Sequence, residues 1–208
     1  MSEIADGIRS RLGAILYNIF KREKFFVIEK KLDDNTIFET ETGIKVNSTL
    51  VRREEFPRIA SSFKTFKVNV GEILKDGDIC AIAEVDGNLV NWTLIAFDEA
   101  YVGELQRKIR VSRDSAYLYA FYTAQNYRGL GIASKTMERI LRYLHKRGIR
   151  KAYALVRHDN LPSLKYTYKA GFRKIGTIEF IKIYKLKLYK YKGKTQENYN
   201  TIIGMLSN

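Results

Sequence analysis

Arg128-Gly129-Leu130-Gly131-Ile132-Ala133 lies where a run with strand character ends, near Thr123, and a run with helical periodicity begins, near Ile132. Glycines at such a junction let the backbone turn and come close to a ligand. The first N–H groups of a helix have no acceptor within it, and the helix dipole is positive at that end, so the place favours an anion. Arg128 adds a full positive charge, and a pyrophosphate suits the arrangement. The spacing is not Gly-x-Gly-x-x-Gly, and no Gly-Lys-Ser/Thr follows, which removes the usual dinucleotide and P-loop readings. A short glycine turn also serves as a plain tight connection, so a second element has to carry part of the argument.

Other reactive side chains are few. Cys80 is the single cysteine, and His145 and His158 are the two histidines. No internal disulfide is possible and no group has metal-ligand spacing, so no metal is expected. Cys80, between Ile79 and Ala81, reads as a small core residue in a reducing compartment.

The chain has 208 residues, a net charge of +14, 45% hydrophobic residues and 12% aromatic ones, with 2 Pro. That composition fills a core and is not that of a disordered or fibrous chain. No apolar stretch approaches the ~20 residues that span a bilayer, and the start lacks the pattern of a secretion signal. A cytoplasmic protein with no membrane partner is expected; the oligomeric state is not legible. Positive charge attracts anions without choosing among them. Its densest run, Lys182 to Lys194, interleaves lysines with Leu186, Leu188, Tyr189 and Tyr191. It reads as a nucleic-acid patch or as a strand with one wet face, and its period of two favours the strand.

The elements that must position these residues follow from periodicity. Ile4, Ile8, Leu12, Ile15, Leu16, Ile19 and Phe20 form one helical stripe, and Phe25 to Ile28 reads as a short strand. Phe56, Ile59, Ala60 and Phe63 suit a short helix. Asp86-Gly87 joins two apolar runs as a hairpin, which also places Trp92 in the core. Ala116 to Thr123 is a strand, and a helix from about Ile132 to Lys146 ends at Gly148. Ala152 to Val156 is the next strand. Asn160 can cap a helix with Pro162 in its first turn and Gly171 as its stop, and Phe172 to Tyr191 gives two further strands. Strands and helices in this order make an α/β (α+β) fold with a mixed sheet covered by helices.

Arg128-x-x-Gly131-x-Ala133 at a strand-to-helix junction, with Asn160-Leu161-Pro162-Ser163-Leu164 and then Lys169-Ala170-Gly171-Phe172, resembles the GCN5-related N-acetyltransferases. The resemblance covers roughly residues 42–190 and is specific because both elements occur together. It divides the chain into an N-terminal helix and strand extension (1–41), an acyltransferase domain (42–192) and a C-terminal tail (193–208). It implies a mixed, mostly antiparallel sheet with a splayed central strand pair, helices on both faces, and acetyl-CoA as co-substrate. Phe121, Tyr122 and Thr123 would meet pantetheine. The loop and first turn, Gly129, Leu130, Gly131, Ile132, Ala133 and Ser134, would take the pyrophosphate beside Arg128, and Asn160 and Ser163 would face the cofactor.

The implied activity is acyl transfer to an amine acceptor such as an amino sugar or another small amine. The alternatives are a protein N-acetyltransferase and a basic nucleic-acid- or ribosome-associated protein that keeps the fold without activity. Members of the family often place a tyrosine four residues before the glycine of the Gly-Phe pair as proton donor. Thr167 stands there in this chain, between Tyr166 and Tyr168. Tyr166 is the candidate donor because it lies on the Asn160 and Ser163 side of the helix. His158, Asp78 and Glu84 are candidates for the base, which is left unassigned. The acceptor pocket is expected from the loops Asn47 to Lys75 and Phe97 to Asp114.

Overall fold

The computed structural model describes residues 20–33, 42–64 and 70–206. The stripe from Ile4 to Ile19 lies outside the described residues. Eight strands form one sheet: β1 (Phe20–Lys31), β2 (Asn47–Arg52), β3 (Ile79–Val85), β4 (Asn88–Ala96), β7 (Ser115–Thr123), β8 (Lys151–Arg157), β9 (Arg173–Ile183) and β10 (Leu186–Gly193). Their spatial order is β10-β9-β1-β8-β7-β4-β3-β2. The β7–β8 pair is parallel and the other neighbours are antiparallel, so the sheet is mixed and mostly antiparallel.

Asp86-Gly87 makes the β3–β4 turn with φ of 50° and 77° at its two residues. That left-handed pair matches the right-handed twist of the flanking strands, which is why Asp-Gly signals a hairpin. Cys80 and Trp92 on these strands are buried, Cys80 completely. Burial pushes the Cys80 thiol up to about 12, so it stays protonated and inert. A thiol reagent at neutral pH is expected to leave the native protein unmodified and to titrate one thiol in denaturant. Rapid native labelling would mean that the β3–β4 ladder opens readily.

Helices cover both faces. α3 (Ile132–Lys146) and α4 (Leu161–Lys169) lie on one, where Met137, Ile140, Leu141, Leu144 and Leu164 pack on Ile28, Leu118 and Ala154. The stripe of α3 follows the helical period, and Gly148, with φ of 77°, accepts the left-handed turn that ends it. On the other face a short 3-10 segment (Arg53–Arg58), α1 (Ala60–Lys64) and α2 (Val70–Ile73) bring Phe56, Phe63 and Val70 to Trp92 and Leu94. There too α5 (Gln196–Leu206) sets Ile202, Met205 and Leu206 against Ile178 and Phe180. Residues 193–208, expected as a tail, thus contain a packed helix.

Two elements depart from the sequence reading. The short strand at Phe25–Ile28 is twelve residues long and sits inside the sheet, paired with β8 on one side and β9 on the other. The strand assigned to an extension therefore joins the two halves of the sheet. Phe97 to Asp114, read as a loop, folds into a hairpin of β5 (Glu99–Val102) and β6 (Arg107–Arg110). Ala100, Val102, Leu105 and Ile109 from it are buried with Tyr117, so it has its own apolar anchor. The carboxylate of Glu99 lies within 2.9 Å of Lys75 and 2.8 Å of Lys108, and those hydrogen bonds hold it down to about 2. The lysine-rich run becomes β10 at the edge of the sheet, where exposed cations discourage pairing with another chain.

Candidate active site

β7 and β8 pair only from Ser115↔Lys151 to Leu118↔Ala154, although β7 runs on to Thr123 and β8 to Arg157. Beyond Leu118 the two strands part. On its other side β7 slips register against β4 between Trp92 and Leu94, and Ala120 opposite this slip has φ of 51°. Positive φ costs energy for a residue with Cβ, so the bulge is built in against that cost. A cavity of about 670 Å³ opens at the parting, within the range of small-molecule sites. Asn91 and Thr93 of β4, Phe121, Tyr122 and Thr123 of β7, the following loop, the first turn of α3 and the near face of α4 line it.

The loop presents an open helix N-terminus. Gly129 and Gly131 have φ of 82° and 79°, a region that other residues adopt only under strain. Gly131 is the N-cap of α3, and the first recorded i→i−4 bond runs from the Lys135 N–H to its carbonyl. The N–H groups of Ile132, Ala133 and Ser134 therefore precede any intrahelical acceptor. A Cβ built on Gly129 would meet nothing within 4 Å, so the loop is open on that side. Arg128 is exposed and its Nε donates to the Thr123 carbonyl at 3.1 Å, which ties the loop back to the end of β7. Lys165 and Lys169 of α4 bring two further positive charges to the rim.

α4 starts as its sequence requires. Asn160 Oδ1 accepts from the Ser163 N–H at 3.2 Å, with Pro162 in the first turn. Thr167 is buried and its hydroxyl donates to the Ser163 carbonyl at 2.9 Å, while Tyr168 is exposed. Tyr166 faces the cavity, edge-on to Phe121 with ring centroids 6.3 Å apart, and its hydroxyl donates to the Ala133 carbonyl at 2.9 Å. Burial pushes its ionisation up, so it holds its proton.

The structure thus gathers Phe121, Tyr122, Thr123, Arg128, Gly129, Gly131, Ile132, Ala133, Ser134, Asn160, Ser163 and Tyr166 around one cavity. Leu130 is in the same loop but is not in the lining, and its side chain is 43% exposed. Asn91 and Thr93 were missed. The available signal was two polar residues inside the apolar run Leu89 to Ala96.

The base candidates lie elsewhere. His158 is exposed and edge-on to Phe26, and neither it nor Glu84 is in the cavity lining. Asp78 is buried and accepts from the Tyr119 hydroxyl at 2.8 Å; burial raises its ionisation despite that bond. The loops expected to form the acceptor pocket contribute none of the described lining residues. Trp92 stacks on Tyr122 at 4.1 Å and is buried, so its indole is core and no platform for a ligand. Tyr189 and Tyr191 stack on one another, with Phe180 and Arg107 also against Tyr189, so these rings are engaged within the protein rather than offered to a base. Among the described residues no group of His, Cys, Asp and Glu could hold a metal ion, and no helix is long and apolar enough to cross a membrane.

Residues 47–172 match the model of the acetyltransferase (GNAT) family. A search of curated proteins gave no match. Among solved structures the chain resembles a functionally unknown conserved protein from Staphylococcus epidermidis, with a TM-score of 0.54, 12% identity, and coverage of 81% of this chain and 66% of that one. It also resembles a GNAT-family protein from Novosphingobium aromaticivorans, with a TM-score of 0.52, 12% identity, and coverage of 84% and 66%. A GCN5-related N-acetyltransferase from Sphaerobacter thermophilus follows, with a TM-score of 0.51, 12% identity, and coverage of 89% and 56%. At these identities the likeness is one of fold.

Proposed function

The chain belongs to the acetyltransferase (GNAT) family, and on that premise we propose that it is an N-acyltransferase that moves the acetyl group of acetyl-CoA to a small amine. The observation that carries this reading is the glycine loop at the start of α3 opening into the cavity where β7 and β8 part. Acetyl-CoA supplies an acyl group activated as a thioester, with a thiol as the leaving group. The residues present fit such a ligand: open backbone and first-turn N–H groups for a pyrophosphate, and unpaired strand edges beyond Leu118 for an amide-bearing arm.

In this reading Gly129 to Ser134 hold the pyrophosphate, with Arg128, Lys165 and Lys169 countering its charge. Phe121, Tyr122 and Thr123 offer main-chain hydrogen bonds to pantetheine, and Asn160 and Ser163 face it from α4. Tyr166 keeps a proton at the cavity wall and is the donor for the departing sulfur once it leaves the Ala133 carbonyl. A small acceptor, such as an amino sugar, is favoured over a lysine-rich protein because the chain is itself strongly cationic and would repel it.

Arg128 gives a test that separates a site from general electrostatics. Arg128→Ala is expected to weaken CoA by roughly tenfold to a hundredfold in calorimetry, as for other charge-assisted contacts. Lys187→Ala and Lys190→Ala, on the exposed edge strand, should leave affinity unchanged. Equal losses from all three would mean that overall charge binds the ligand. A screen of amine acceptors by thiol release from acetyl-CoA then identifies the second substrate.

A further inference from the structure

Asn91 lies within β4, 2% exposed, in a strand that is otherwise almost wholly apolar on its inner positions. Its Nδ2 donates to the Tyr122 carbonyl and, at 2.9 Å, to the Thr123 hydroxyl. Its Oδ1 is buried and has no hydrogen-bond partner among the described residues. A buried acceptor left unmet is costly, and native proteins keep such groups where a ligand or a strained site needs them.

The place matters. Asn91 pairs with Thr123 at the end of the β4–β7 ladder, beyond the slip between Trp92 and Leu94, so its side-chain amide reinforces the ladder next to the bulge at Ala120. Tyr122 and Thr123 are thereby fixed on the arm of β7 that has already left β8. Asn91, Tyr122 and Thr123 all line the cavity.

We propose that Asn91 is a ligand-positioning residue of the pantetheine site. Its Nδ2 sets the position of Tyr122 and Thr123, whose main chain meets the pantetheine arm, a proposal that rests on the acetyl-CoA reading above.

The test compares CoA with adenosine 3′-phosphate 5′-diphosphate, the same ligand without its arm, by calorimetry on the wild-type protein, Asn91→Ala and Asn91→Asp. Asn91→Ala is expected to weaken CoA by roughly tenfold to a hundredfold and the armless nucleotide by less than about twofold. Asn91→Asp has the same shape and keeps the acceptor but cannot donate to the Tyr122 carbonyl, so it too should lose CoA selectively. A purely structural role would lower the melting temperature and both affinities together, and that result overturns the proposal, as does CoA affinity that neither substitution changes. A wild-type protein that binds both ligands while the variants bind CoA normally leaves the acetyl-CoA reading standing without Asn91. Failure of the wild-type protein to bind either ligand overturns both.

Discussion

Gly131→Val is expected to lower CoA affinity by at least about a hundredfold while the far-ultraviolet circular dichroism stays native. Gly131 has φ of 79° and caps α3. A β-branched residue cannot hold that conformation without strain of about 1–3 kcal/mol. It would relieve the strain by turning the peptide, which moves the first-turn N–H groups off the pyrophosphate. Charge-assisted hydrogen bonds are worth about 1.5–3 kcal/mol each, and losing two is enough for the predicted factor. Gly131→Asn separates strain from obstruction, because asparagine tolerates the left-handed region. A partial recovery with Asn assigns the loss to backbone geometry, and none assigns it to the side chain in the anion's place. Were the loop only a tight connection, both variants would be less stable and bind CoA like the wild type.

Tyr166→Phe is expected to slow acetyl transfer by about 10²–10⁴-fold at saturating acetyl-CoA, with binding nearly unchanged, as for removal of a general acid. The hydroxyl donates its proton to the Ala133 carbonyl, and burial keeps it protonated. It is thus available at neutral pH to a sulfur that develops negative charge beside it. A tyrosine that merely ties α4 to α3 behaves differently: Phe keeps the ring against Phe121, loses about 1 kcal/mol of stability, and leaves the rate within about threefold. Tyr166→Ala should reduce binding and stability in either case because the ring itself is lost. Tyr168→Phe, on the exposed side of α4, should be neutral.

The parts of this molecule that were legible in its sequence are those specified locally. The β3–β4 hairpin needed only Asp86-Gly87 between apolar runs, and α3 and α4 needed their stripes, Asn160, Pro162, Gly148 and Gly171. The glycine loop was legible as a candidate anion site because its chemistry is carried by consecutive residues. β1 was only half visible. Phe25 to Ile28 is apolar, but the strand extends at both ends through charged residues whose pairing partners, such as Ile181 and Lys151, lie far along the chain. Phe97 to Asp114 reads as a charged loop because its buried residues, Ala100, Val102, Leu105 and Ile109, are thinly spread. Asn91 could not be assigned, since a polar residue in a strand gains meaning only when its neighbours across the ladder are known. The splay of β7 from β8 and the bulge at Ala120 are tertiary features with no local code.

The central claim is that the cavity between β7 and β8 is a specific CoA site, and calorimetric titration of the wild-type protein with CoA over a salt series tests it most directly. One CoA per chain is expected, with a negative heat-capacity change from burial of the arm and a shallow salt dependence because only a few phosphate charges are neutralised. No binding would contradict it, as would an RNA oligonucleotide binding more tightly than CoA with a steep salt slope.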